Sequence, residues 1–124
     1  MVNISKYKDL IEKGMVYIAT SDRKCKPNLI CVTGCRLVAK DTICATDNMM
    51  DKTRKNIKQN KKIALIVGKG EKWYQFKGTV AYHTKGKWFK FVKAFPSNKP
   101  YDPQAAVLVK VKEVYDLWEG ERLI

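Results

Sequence analysis

The chain has 124 residues, with 25 Lys and Arg against 12 Asp and Glu, for a formal net charge of +13 and a single histidine. That length fits one domain able to bury roughly two-thirds of its unfolded surface without cross-links. The apolar runs, such as Ile63-Ala64-Leu65-Ile66-Val67, fall far short of the ~20 residues of a membrane span, and Met1 to Lys8 lacks the residue order of an export signal, so a cytoplasmic protein is expected.

Ile4, Tyr7, Leu10 and Ile11 fall on one helical face between an Asn3 cap and Gly14, which predicts a short amphipathic helix. Met15 to Thr20 is rich in β-formers, Ser21-Asp22-Arg23-Lys24 is a polar turn, and Pro27 to Thr33 reads as the second strand of a hairpin. Gly34 interrupts. Arg36 to Val38 and Thr42 to Thr46 then flank the turn Ala39-Lys40-Asp41, as two strands or as one bent strand and its return. A basic helix is predicted from Asp51 to about Asn60; it buries little beyond Ile57, which leaves Arg54, Lys55, Lys58 and Lys61 solvated. Lys62 to Gly68 reads as a buried strand, Lys69-Gly70-Glu71 as a turn, and Trp73 to His83 as a long strand with Gly78 in its middle. Trp88, Phe91, Val92 and Phe95 mark one face of a further helix, ended by Pro96 and Pro100. Ala105 to Trp118 closes the chain as a strand in which Val107, Val109 and Val111 alternate with Leu108, Lys110 and Lys112. The expectation is a mainly β fold with short helices, an antiparallel barrel of about six strands.

The junction from Thr46 to Asn56 is the segment with most chemistry in it. Asp51 is placed to cap the helix, and the unpaired N–H groups of a first helical turn, at the positive end of the helix dipole, hold anions. Lys52 adds a charge and Thr53 a hydroxyl. The competing reading is an ordinary capped surface helix. Cys25, Cys31, Cys35 and Cys44 contain no CxxC pair and have no histidine nearby, so they read as free thiols, not a zinc site. His83 lies late in a strand, with no nucleophile to serve, and no catalytic side chain is assigned. The net charge draws the protein toward polyanions, but the lysines are spread along the chain and no nucleic-acid-binding signature accompanies them.

Taken in order, Ile18-Ala19-Thr20 with its turn and Pro27-Asn28, then Thr46-Asp47-Asn48 with Lys52-Thr53 and Asn56, then Tyr74 to Val80, the chain resembles the pyridoxamine 5′-phosphate oxidase-like FMN-binding split-barrel family, especially its small FMN-binding proteins. The likeness covers nearly the whole length. It implies a six-stranded antiparallel split barrel that forms a homodimer with FMN in clefts between the subunits. It also implies that Lys52 and Thr53 hold the phosphate, that Thr46 and Asp47 lie beside the phosphate and ribityl chain, and that Cys31, Val32 and Thr33 run along the isoalloxazine edge. Gln75 would approach from the partner subunit. Two departures stand out: the family often has a second basic residue where this chain has Thr53, and an acidic-glycine turn where it has Arg23-Lys24-Cys25-Lys26.

No equivalent of the basic C-terminal motif of the full oxidase is evident in Trp118 to Ile124, so the resemblance implies a flavoprotein, oxidoreductase or electron carrier, in place of a vitamin-pathway oxidase. Electrons would come from a reduced nicotinamide or a redox protein. The alternatives are a basic, non-enzymatic small barrel that binds nucleic acid, or a split barrel that holds haem or a deazaflavin. His83 is the one histidine available as a haem ligand.

Overall fold

The structure, a computed structural model, describes residues 2–124. The N-terminal face of Ile4, Tyr7 and Ile11 is buried as the periodicity requires, through a 3-10 turn at Ser5–Tyr7 and a helix at Lys8–Lys13 (α1). The Asn3 side chain takes the Ser5 N–H at 3.0 Å. The helix ends as Gly14 turns to extended backbone, at a point where a side chain would meet the Leu10 and Gly68 carbonyl oxygens at 2.5 and 2.6 Å. No helix among the described residues is long and apolar enough to cross a membrane.

Seven strands follow among the described residues, not six: Met15–Ser21 (β1), Pro27–Val32 (β2), Arg36–Ala39 (β3), Thr42–Asp47 (β4), Lys62–Lys69 (β5), Lys72–His83 (β6) and Ala105–Asp116 (β7). They form one antiparallel sheet in the order β2-β1-β5-β6-β7-β4-β3. The discrepancy lies at Gly34, whose φ of +75° turns the chain sharply. β2 pairs with β1 at one edge of the sheet, and β3 pairs with β4 at the other, so they are separate strands and not one bent one.

That topology also explains the curl. Three residues, Thr33 to Cys35, connect the two outermost strands of a seven-stranded sheet, and a link that short spans at most ~14 Å. The sheet must therefore bend round until its edges approach, although no ladder joins them. Two further features accommodate the bend in the long β6–β7 pair. Its register shifts between Lys77 and Gly78, and a side chain at Gly78 would stand 2.0 Å from the Lys110 carbonyl oxygen.

Inside the curl lies one apolar core, with Ile18 of β1, Ile43 of β4, Leu65 of β5, Phe76 of β6 and Val109 of β7 all buried against Tyr7 and Ile11. Two more helices pack around it, Asp51–Gln59 (α2) and Lys87–Ala94 (α3). α2 closes on the core through Ile57, and α3 lies over β4 and β7, where Val92 meets Cys44 and Ala106. The predicted aromatic face of α3 is real: Trp88 and Phe91 pack against that second cluster, and Phe91 contacts Phe95 at 4.6 Å between ring centroids.

Candidate functional site

The junction between β4 and α2 is organised by Asp47, the last residue of β4, which is fully buried. Its Oδ1 accepts the Met50 N–H at 2.8 Å, its Oδ2 accepts Arg54 Nε at 2.7 Å, and the Tyr82 hydroxyl of β6 donates to the same Oδ2. Arg54 Nη2 adds a longer bond to Oδ1 at 3.3 Å. Burial by itself pushes the Asp47 carboxyl up, but the bonds from Arg54, Tyr82 and Met50 and the Arg54 charge outweigh it, leaving the group below the usual carboxylate range. Burial and the bond to Asp47 push the Tyr82 hydroxyl up to about 12. Asp47 is thus an anion at neutral pH, held in place by its neighbours.

This arrangement corrects two expectations at the helix start. Asp51 is not the cap: the N-cap position is Met50, without a side-chain cap bond, and Asp51 instead faces Lys55 at 3.4 Å in an exposed pair of little energetic weight. Arg54 is not free in solvent either. It lies one turn into α2, seven residues after Asp47, and reaches back to the strand end.

Two clefts border this junction. The first, of about 330 Å³, is lined by Ile30, Cys31, Val32, Thr33, Thr46, Asn48, Met49, Met50 and Tyr101. Its lining mixes apolar side chains with polar groups, and its lip is open, since Met49 is 81% exposed and Tyr101 52%. One wall is an edge strand, β2, whose outer backbone groups have no ladder partner. The other carries Asn48, whose Oδ1 is buried without a hydrogen-bond partner while its Nδ2 faces Asn98 Oδ1 at 3.4 Å. Asn98 is itself buried, donating to Thr46 Oγ1 at 3.0 Å and to the Val92 carbonyl at 2.7 Å, and so ties the cleft wall to α3.

The second cleft, of about 260 Å³, is lined by Asp22, Lys26, Pro27, Asn28, Lys52, Lys55, Asn56 and Gln59. The two lie along the same strand. Asn28 and Val32 are four residues apart, ~13 Å at the rise of a β-strand, and across from them Met50 and Lys52 are neighbours at the start of α2. β2 and the Asn48–Asn56 segment therefore border both clefts and make one candidate groove of them, with apolar side chains prominent at one end and three lysines at the other.

The sequence-predicted residues are distributed over this groove unevenly. Cys31, Val32, Thr33 and Thr46 come together in the apolar cleft, and Lys52 stands in the cationic one. Asp47 lies beneath the groove with its carboxylate already engaged. Thr53 is 1% exposed, and its hydroxyl accepts Asn28 Nδ2 at 3.1 Å, so its side chain braces α2 against β2. Gln75 sits mid-strand between Ile66 and Tyr115 and lines neither cleft. His83 pairs with Ala106 at the end of β6 and lines neither as well. Of the residues the sequence reading missed, Arg54 was accessible from its spacing to Asp47. Tyr82, Asn98 and Tyr101 arrive from distant segments and carry no local signal.

The four thiols are free and divide into two kinds. Cys35 and Cys44 are buried, and burial pushes them up to about 12 and about 11. Cys25 and Cys31 are exposed, Cys31 within the apolar cleft.

The pyridoxamine 5′-phosphate oxidase family model matches residues 5–118 of the chain. An uncharacterised protein of Methanocaldococcus jannaschii is 32% identical over 115 residues, covering 89% of this chain and 77% of that protein. Among solved structures, HupZ of Group A Streptococcus superposes with a TM-score of 0.88 at 27% identity over 100% of both chains. An FMN-binding protein from Syntrophomonas wolfei subsp. wolfei superposes at 0.80 and 19% identity, covering 92% of this chain and 85% of that one, and that likeness is one of fold.

Proposed function

This chain belongs to the pyridoxamine 5′-phosphate oxidase family, and on that premise we propose that it is an FMN-binding flavoprotein, an oxidoreductase or electron carrier whose flavin lies in the groove along β2. The observation that carries this reading is the polarity of the groove, which suits a ligand with a flat, largely apolar ring at one end and a dianion at the other. Lys52 and the first-turn N–H groups of α2 meet the phosphate, and Thr46 flanks the ribityl chain. The ring rests between the β2 edge at Cys31 to Thr33 and the Met49-Met50 side of the cleft. Its one ring N–H donor and its carbonyl acceptors find complements in the orphaned Asn48 Oδ1 and the free strand edge.

Bound FMN supplies one- and two-electron redox chemistry; the chain supplies orientation, exclusion of water and a positive field that favours a reduced, anionic ring. Electrons come from a reduced nicotinamide or a redox protein. The exposed lip of Met49 and Tyr101, with Leu29 66% exposed on the same outer face of β2 as Cys31, is covered in this reading by a second copy of the chain, which contributes Gln75. The net charge of +13 is assigned to the lysine-rich surface and to this field.

Lys52→Ala tests the placement. A charge-assisted bond to the phosphate is worth ~1.5–3 kcal/mol, so FMN affinity should fall by roughly ten- to a hundredfold while riboflavin, which lacks the phosphate, is bound as before. Unchanged FMN affinity in titrations of apoprotein would remove Lys52 from the site.

A further inference from the structure

We propose that Lys26 supplies the second cation of the phosphate end of the groove, from the β1–β2 turn across the cleft and not from α2. The inference rests on the FMN reading. On α2 itself, Thr53, beside Lys52, turns inward under Asn28, and Lys55, which also lines the cleft, shares its charge with the exposed carboxylate of Asp51. Lys26 lines the same cleft as Lys52, and neither makes an ion pair among the described residues.

The turn that carries Lys26 is built to hold it there. Asp22 Oδ1 accepts the N–H groups of both Lys24 and Lys26, at 2.8 and 2.9 Å, and the Asp22 N–H returns a bond to the Lys26 carbonyl at 3.2 Å. Cys25 takes a φ of +66° to close the loop. The Arg23 N–H donates to Gln59 Oε1 at 3.2 Å, fastening the turn to the far end of α2. Asp22, the one carboxylate of this cleft, commits its Oδ1 to two backbone donors; it keeps its charge, which the three lysines of the cleft outnumber. A dianion entering between Lys26 and Lys52 meets two cations that are free to pair with it and are presented from two elements with fixed backbone, so only the two side chains remain to be ordered on binding.

The test is calorimetric titration of apoprotein with FMN and with riboflavin, for wild type, Lys26→Ala, Lys26→Arg and Lys24→Ala. Lys24 is a control that removes the same charge from the same turn outside the cleft. Lys26→Ala should weaken FMN about tenfold and leave riboflavin within twofold, Lys26→Arg should restore FMN, and Lys24→Ala should change neither. If Lys26→Ala binds FMN as wild type does while Lys52→Ala does not, the second cation is not Lys26. Equal losses of FMN and riboflavin, or equal effects of Lys24→Ala and Lys26→Ala, would also overturn the proposal. A wild-type chain that takes up no FMN would instead overturn the flavin reading beneath it.

Discussion

Replacing Asp47 by Asn keeps the shape of the residue at the β4–α2 junction and removes its charge. The amide oxygen can still accept the Met50 N–H, but the amide nitrogen then faces Arg54 Nε, donor against donor; that bond is lost, and the longer one from Nη2 loses its charged acceptor. Bonds to a charged group are worth ~1.5–3 kcal/mol each, and Arg54, 32% exposed, recovers part of that from water, so the net loss should be about 2–3 kcal/mol. For a domain of this size that corresponds to a fall in Tm of roughly 6–15 °C. Arg54→Ala, which leaves the buried carboxylate without its cation, should cost at least as much. The assay is urea unfolding of wild type, both single variants and the double variant; a coupling of 1 kcal/mol or more is expected. The same pair sets an acid limit. Because the folded carboxyl lies below its ordinary value of ~3.9, the stabilisation is complete above that value and is lost as pH falls through the folded value, so wild type should lose stability below about pH 4 more steeply than Asp47→Asn. An Asp47→Asn protein within 0.5 kcal/mol of wild type (~0.5 being the scatter of neutral surface changes) and with the same acid dependence would refute the anchoring role.

Gly78→Ala pushes a methyl group onto the Lys110 carbonyl at the β6–β7 bulge, and should cost well over ~1 kcal/mol by urea midpoint even though alanine suits a strand better than glycine. Alkylation followed by mass spectrometry near pH 8 should label Cys25 readily in the folded protein, Cys31 slowly where the second copy and FMN cover it, and Cys35 and Cys44 only after unfolding. Sedimentation should find two chains per particle; a strictly monomeric holoprotein that keeps its flavin at micromolar concentration would contradict the shared site.

Most of the elements were legible because each carries a strong local signal: alternation in β7, β-formers in β1, the aromatic spacing of α3, the Ile4-Tyr7-Ile11 face. The strand count was not. Whether Arg36 to Ala39 continues β2 or crosses to the opposite edge depends on one glycine's φ and on a pairing with β4 that no local pattern encodes. The groove was half legible. Cys31 to Thr33 and Thr46 come from the family resemblance and Lys52 from the start of a basic helix, whereas the engagement of Asp47 depends on Tyr82 from β6, and the inward turn of Thr53 on Asn28 from β2. Lys26 was visible only as a departure from the expected turn. Its placement opposite Lys52 comes from the hairpin folding over α2.

The visible absorption spectrum of the purified protein, with identification of whatever denaturation releases, bears most directly on the flavin. A yellow protein with a two-band flavin spectrum that yields one FMN per chain is the predicted result. A colourless protein that cannot be loaded with FMN, or one that carries the Soret band of a haem, would contradict it.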